Sequence, residues 1–357
     1  MLTGWPRSVR TGKRAYKAAL SERVIYNGSA DSADPEVNLM EKYGFDIAGN
    51  CYFVFDKNNN PHYISNFVFE PLYSVPDINA NKRIFRLRNE YDEEAIAIFE
   101  SSDFANMGAL REKLHNLGTF TWQGKIDELQ NVLRHVFRGA TVANPVHELG
   151  WQEAGFFAFG DGAYTDHFVR ANEYGFVDLG EFGVHYLPAM STLCSRDPKY
   201  GFDRNFCYVH RAQVTLEEYL KLFDEVFEDN GRIGLCFLFA TLFRVVIVDE
   251  FNMFPILDLF GKPQSGKSHL GMALRGFFSP ETNPFNIEND TFASMTKALE
   301  KVRNGIIHLD EYKDGLEQRK NEMLKAAWDC VGRGKMNNGE IERLDVKQPK
   351  RDETCPF

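Results

Sequence analysis

The sequence predicts an α+β domain followed by an α/β domain built on parallel strands, and three observations predict it. Residues 40–214 are dense in aromatic and β-branched runs broken by turn signals. From Thr215 onward apolar strand-like runs alternate with helical ones. Between an apolar run and a helical run of that second part stands "GKPQSGKSHL", residues 261–270, a glycine-bounded loop of special spacing.

Composition sets the frame. A chain of 357 residues is more than one ordinary domain, and 43% hydrophobic residues suffice for packed cores. The expected layout is a basic arm over 1–39, an α+β domain over 40–214 and a nucleotide-type α/β domain over 215–357. A formal net charge of −10 argues against a surface that binds nucleic acid everywhere, so any such contact needs a local basic patch. The six cysteines are scattered without a C-x-x-C pair, which fits free thiols in a reducing compartment and a cytoplasmic protein. His185, Cys194, Cys207 and His210 lie close in sequence, but their spacing matches no standard zinc finger and ordinary burial is the expectation.

The first 21 residues carry several Lys and Arg and no acid, which reads as a solvated basic start. "IGLCFLFATLFRVVIV", residues 233–248, is too short to span a membrane comfortably and holds Arg244 within it. A buried helix running into a strand is expected there, and no membrane partner.

In the α+β part, "NCYFVFDKNNNPHYISNFVF" predicts a hairpin around Asn-Asn-Asn-Pro, and "KRIFRLRN" with "AIAIFES" a second pair. Helices are expected near 103–117 and 125–138, the latter with Ile126, Leu129, Leu133, Val136 and Phe137 on one face. "GWQEAGFFAFGDGAYTD" predicts another hairpin with Asp-Gly at its turn. The aromatics of this part are expected to be core residues. "TLEEYLKLFDEVFEDNG" then opens with a capping box, Thr215 and Glu218, and is expected to stop at Gly231.

Gly261, Gly266, Lys267 and Ser268 match G-x-x-x-x-G-K-[ST], between the apolar run 256–260 and the helical run after it. That spacing lets successive backbone N–H groups wrap a phosphate while a helix N-terminus faces the charge. The expected nucleotide contacts are Gly261, Lys262, Pro263, Gln264, Ser265, Gly266, Lys267, Ser268 and His269. Lys267 would reach the β- and γ-phosphates, and Ser268 would take one position on Mg2+. Further along, "NGIIHLDEY" delivers Asp310 and Glu311 at the end of an apolar run. Asp310 would join the magnesium shell, and Glu311 would polarise the attacking water as general base. No Asn-Lys-x-Asp guanine-reading sequence follows, so ATP is the expected nucleotide.

The compact order of strand, loop, helix, short strand, helix and strand resembles AAA+ ATPases, including superfamily three and minichromosome-maintenance-like helicases. "ISNFVFEPLYSV", "LGW" at 149–151, "FPILDLFGKPQSGKS", "NGIIHLDEYK" and "WDCVGRGKMN" together resemble the Cch-type helicases of mobile genetic elements and phages. The resemblance implies a ring-forming, ATP-driven motor on DNA. It also implies a pore hairpin at "GRGKMNNGEIERLDVKQPK", where Arg333, Lys335, Lys347 and Lys350 would contact phosphates. The family's sensor strand, arginine finger and lid have no counterpart before Phe357, so an incomplete AAA+ domain is expected. A non-motor module that binds nucleic acid or a replication partner, beside a degenerate ATPase half, is the alternative.

Overall fold

The structure, a computed structural model, describes residues 38–77, 80–209, 214–278 and 284–330, with the backbone of 334–337 and 340–343. The chain divides into two compact units, Met1–Pro145 and Val146–Phe357. Both are mixed α and β, with several small sheets that include parallel strands.

In the first unit the two expected strand pairs form. Cys51–Phe55 pairs antiparallel with Pro61–Tyr63 across a turn in which the Asp56 carboxylate accepts from the N–H groups of Asn58 and Asn60 at 2.8 Å each. Lys82–Asn89 pairs antiparallel with Glu94–Glu100 on one side and with the long strand Phe67–Val75 on the other. Helices Met107–Leu117 and Ile126–Val136 supply Leu110, Leu114, Leu129, Val132, Leu133 and Val136 to one aromatic-rich core. Ile126, at the first position of its helix, stays exposed.

In the second unit the hairpin Phe157–Phe159 with Gly162–Tyr164 is extended on both sides, giving the order 168–170, 162–164, 157–159, 149–151, 302–303. Its loop is Gly160-Asp161 rather than Asp-Gly, because Phe159 pairs with Gly162 and Asp161 is used elsewhere, its carboxylate accepting from Tyr208 N–H at 3.0 Å. The last strand, Val302–Arg303, runs parallel to Leu149–Trp151. The sheet therefore joins residues from both sides of the expected 214/215 step. Side chains do the same: Phe206 stacks on Phe278 at 5.9 Å, and Leu149, Val177, Phe223, Leu238 and Leu270 share one core.

Gly150 makes the parallel pairing possible. Its φ is +87°, and a Cβ there would lie 1.8 Å from the Arg303 carbonyl oxygen. Gly150→Ala is expected to cost more than about 1 kcal/mol, from backbone strain and separation of the two strands, read as a lowered urea midpoint.

The capping box at Thr215 and Glu218 forms, with Glu218 N–H donating to Thr215 Oγ1 at 3.2 Å and Thr215 N–H to the Glu218 carboxylate at 2.8 Å. The helix does not stop at Gly231. It runs Leu216–Leu242, interrupted at Glu228 (φ 50°, ψ −135°), and a second helix, Arg244–Phe251, follows where a strand was expected. The β-branched run Val245–Val248 favours a strand by propensity alone, yet Arg244 is fixed at the helix start by Cys330 Sγ at 3.1 Å and the Phe254 ring. The expectation of burial over 233–248 holds only in part, since Leu238 and Thr241 are buried while Val246 is 66% exposed. No single helix among the described residues is long and apolar enough to cross a membrane.

Among the described residues, the expected parallel sheet around the loop is reduced to two strands. Phe285–Asn286 pairs parallel with Leu309–Asp310. Residues 256–260 form no strand, and Phe260 is 97% exposed, so this run lacks the two covered faces that a buried parallel strand requires.

Candidate functional site

The loop at 261–268 is shaped by two left-handed positions, Gln264 (φ 62°) and Gly266 (φ 84°). Gly266 caps the helix Lys267–Arg275, with Leu270 N–H donating to its carbonyl at 3.0 Å. The Lys267 ammonium folds back over the loop and donates to the carbonyls of Gly261 and Lys262 at 2.8 Å each. Among the described residues, the N–H groups of Lys262, Gln264, Ser265 and Gly266 bond to no other main-chain group. Four donors without a main-chain partner, a helix N-terminus and an ammonium suit a polyphosphate. Lys262, Pro263, Gln264, Ser265, Ser268 and His269 are all exposed around this rim.

The helix is held from behind. Tyr219 Oη donates to the Ala273 carbonyl at 3.4 Å, and Gly234 of the long helix lies against Leu270 and Leu274.

Asp310 ends its short strand with its Oδ1 accepting from Glu311 N–H at 2.9 Å. Glu311 has φ 63°, and its half-exposed carboxylate lies 3.7 Å from Lys313 Nζ, which pairs with Glu288 at 2.5 Å. Glu288, through its hydrogen bond and charge, holds the Lys313 ammonium above the ordinary lysine range. Buried Lys320 fastens the neighbouring turn by donating to the carbonyls of Ile287 and Glu288 at 2.8 Å each.

The two parts meet through a glycine. A Cβ at Gly271 would lie 2.7 Å from His308 Cε1, so the His308 ring rests directly on the backbone of the loop's helix. His308 and Asp310 are two apart along the extended chain and share a face. Asp310 lies near enough for its charge to act on the His308 ring. Sequence reading missed Gly271 and His308, because neither belongs to the phosphate-loop spacing; a glycine inside an apolar helical run was the only hint.

Burial pushes the His308 imidazole below its ordinary value, with Arg275 adding to this and Asp310 opposing it. The folded protein thus keeps the ring neutral where the unfolded chain takes up a proton. Stability from this residue is present above about pH 6.5 and is lost as pH falls below it. The urea midpoint should drop between pH 7.5 and 5.5 more steeply in the parent than in His308→Gln.

Of the proposed nucleic-acid contacts, Lys335 lies in the strand Gly334–Asn337, which pairs antiparallel with Glu340–Arg343 as a hairpin would. Arg333, Lys347 and Lys350 lie outside the described residues, as do residues 1–37 and His210. The other members of the cysteine–histidine set are separately engaged. His185 Nε2 is 2.9 Å from the Phe182 carbonyl, Cys194 Sγ is 3.6 Å from Tyr186 Oη, and Cys207 Sγ donates to the Arg204 carbonyl at 2.9 Å. Among the described residues no group of three His, Cys, Asp or Glu is arranged to hold a metal ion.

The chain is similar in structure to a solved chain described as SCCmec type IV Cch, active helicase, with a TM-score of 0.40 and 13% identity. The similarity covers 80% of this chain and 62% of that one, so this chain spans under two-thirds of its neighbour's length. No protein-family model matches the sequence, and no curated protein matches it.

Proposed function

We propose that this chain is the nucleotide-binding portion of a cytoplasmic, AAA+-type DNA helicase of the Cch kind, using ATP and Mg2+. The observation that supports the reading is the loop 261–268, with N–H groups that bond to no other main-chain group, its folded-back Lys267 and its helix start, and with Gly271 of that helix resting against His308, two residues before Asp310.

In this reading Lys267 exchanges its bonds to the Gly261 and Lys262 carbonyls for phosphate oxygens, which accept charge-assisted bonds better than neutral carbonyls. Ser268, exposed on the first helical turn, and Asp310 are the oxygen donors fit for Mg2+. The ion, when bound, offsets charge on the phosphate oxygens. Glu311, next in the chain and half exposed, takes a proton from water. The hairpin carrying Lys335 would face DNA, and copies of the chain would assemble as a ring.

One observation favours the second reading, a nucleic-acid or replication-partner module with a degenerate ATPase half. The run 256–260, which should carry the loop on a sheet, pairs with no strand. An ATPase assay with and without single-stranded DNA separates the two. Turnover stimulated by DNA and lost in Glu311→Gln supports the motor. DNA binding indifferent to nucleotide, with no turnover, supports the module.

A further inference from the structure

The half of the long helix beyond Glu228 carries two seams at the same spacing. Gly231, Gly234, Leu238 and Thr241 recur by steps of three and four and are buried, with Gly234 lying against Leu270 and Leu274 of the loop's helix. Ile233, Cys236, Ala240 and the cap residue Phe243 repeat those steps two residues on, about 200° round the helix. This second seam faces outward: Ile233 is 60% and Phe243 62% exposed, and Cys236, with Phe239 beside the seam, is exposed as well. No charged residue stands between Arg232 and Arg244.

A helix that is apolar on every side is a helix covered on every side. The inward seam has its cover in the loop's helix, and the outward one, by its steps of three and four, has the spacing of a seam between paired helices. Lipid is a poor match: Ile233 to Phe243 rises only about 15 Å, half of the ~30 Å hydrocarbon layer. The helix that follows turns away by 83°, so the apolar surface does not continue as one rod. A partner with a charged face would leave its charges unpaired here, whereas a second copy brings the same uncharged seam. Antiparallel pairing sets opposite helix ends side by side, which the helix dipoles favour. It also layers Ile233 on Phe243, and Cys236 on Ala240, so the small residues let the backbones approach at the centre.

We propose that the outward seam Ile233–Phe243 is a two-fold, antiparallel docking surface for a second copy of this chain. The seam and its exposed neighbours offer roughly 450 Å² per copy, so a pair buries about 900 Å², below the ~1,200 Å² of stable interfaces. The pairing is therefore reversible, with a Kd of about 10–100 µM. It uses no residue of the phosphate loop and stands apart from the nucleotide reading.

Sedimentation velocity of the full chain without nucleotide, over about 5–200 µM, is expected to pass from monomer to dimer. Ile233→Glu should keep the far-UV circular dichroism, because that side chain meets solvent, and weaken pairing at least about tenfold, because the pair would bury two unpaired carboxylates. Phe243→Glu, at the other end of the seam, should act alike and stands in if the first variant fails to fold. Mild oxidation of Ala240→Cys should link two copies through the native Cys236, and adding Cys236→Ser should prevent that link. The proposal is overturned if the chain stays monomeric over the whole range, if both glutamate variants pair as the parent does, or if the link survives Cys236→Ser. A monomer that floats with phosphatidylglycerol vesicles overturns it too, by assigning the seam to lipid.

Discussion

Replacing Lys267 by alanine is expected to weaken ATP binding about a hundredfold. The ammonium now bridges two loop carbonyls at 2.8 Å, so it is already positioned over the loop. A hydrogen bond to a charged group is worth up to about 3 kcal/mol, and each 1.4 kcal/mol is a factor of about ten in affinity. Titration with a fluorescent ATP analogue measures the change directly. Glu311→Gln should leave that affinity within about threefold, since the role proposed for its carboxylate is in the hydrolytic step and not in phosphate capture. Equal binding by Lys267→Ala and the parent would sink the nucleotide reading at its root.

The second large effect concerns stability. Lys301 Nζ donates to both carboxylate oxygens of Asp203, at 2.7 and 2.8 Å, with both side chains largely buried. Asp203→Ala leaves a buried ammonium unpaired and is expected to cost about 3–5 kcal/mol in urea denaturation. The double change Asp203→Ala with Lys301→Met should recover most of that loss, because the penalty belongs to the orphaned charge more than to the missing pair. If the double variant is as unstable as the single one, the pair itself holds the 200–206 segment on the strand 302–303.

The local chemistry of this protein was readable in its residues. The capping box at Thr215, the Asn-Asn-Asn-Pro turn, the hairpin pairs of the first unit and the glycine, lysine and serine spacing of the loop all depend on neighbours a few positions apart. What was not readable depends on distant partners. The expected step at residue 214 rested on a change of pattern, but Phe206 and Phe278 stack in one core and Val302–Arg303 completes a sheet begun at Leu149. Residues 245–248 looked like strand because their side chains branch at Cβ, and the anchoring of Arg244 by Cys330 decides otherwise. The meeting of Gly271 with His308 joins two motifs through a missing side chain, which leaves no apolar periodicity to detect.

The break at Glu228 gives the long helix Leu216–Leu242 two mechanical halves. Tyr219 and Phe223 fasten the first half, while Gly234 and Leu238 fasten the second to the loop's helix. With the ladder of amide bonds interrupted between them, the halves need not open together, so loss of the Tyr219 bond near Thr215 can leave the Gly234 and Leu238 contacts on the helix that carries Lys267 in place.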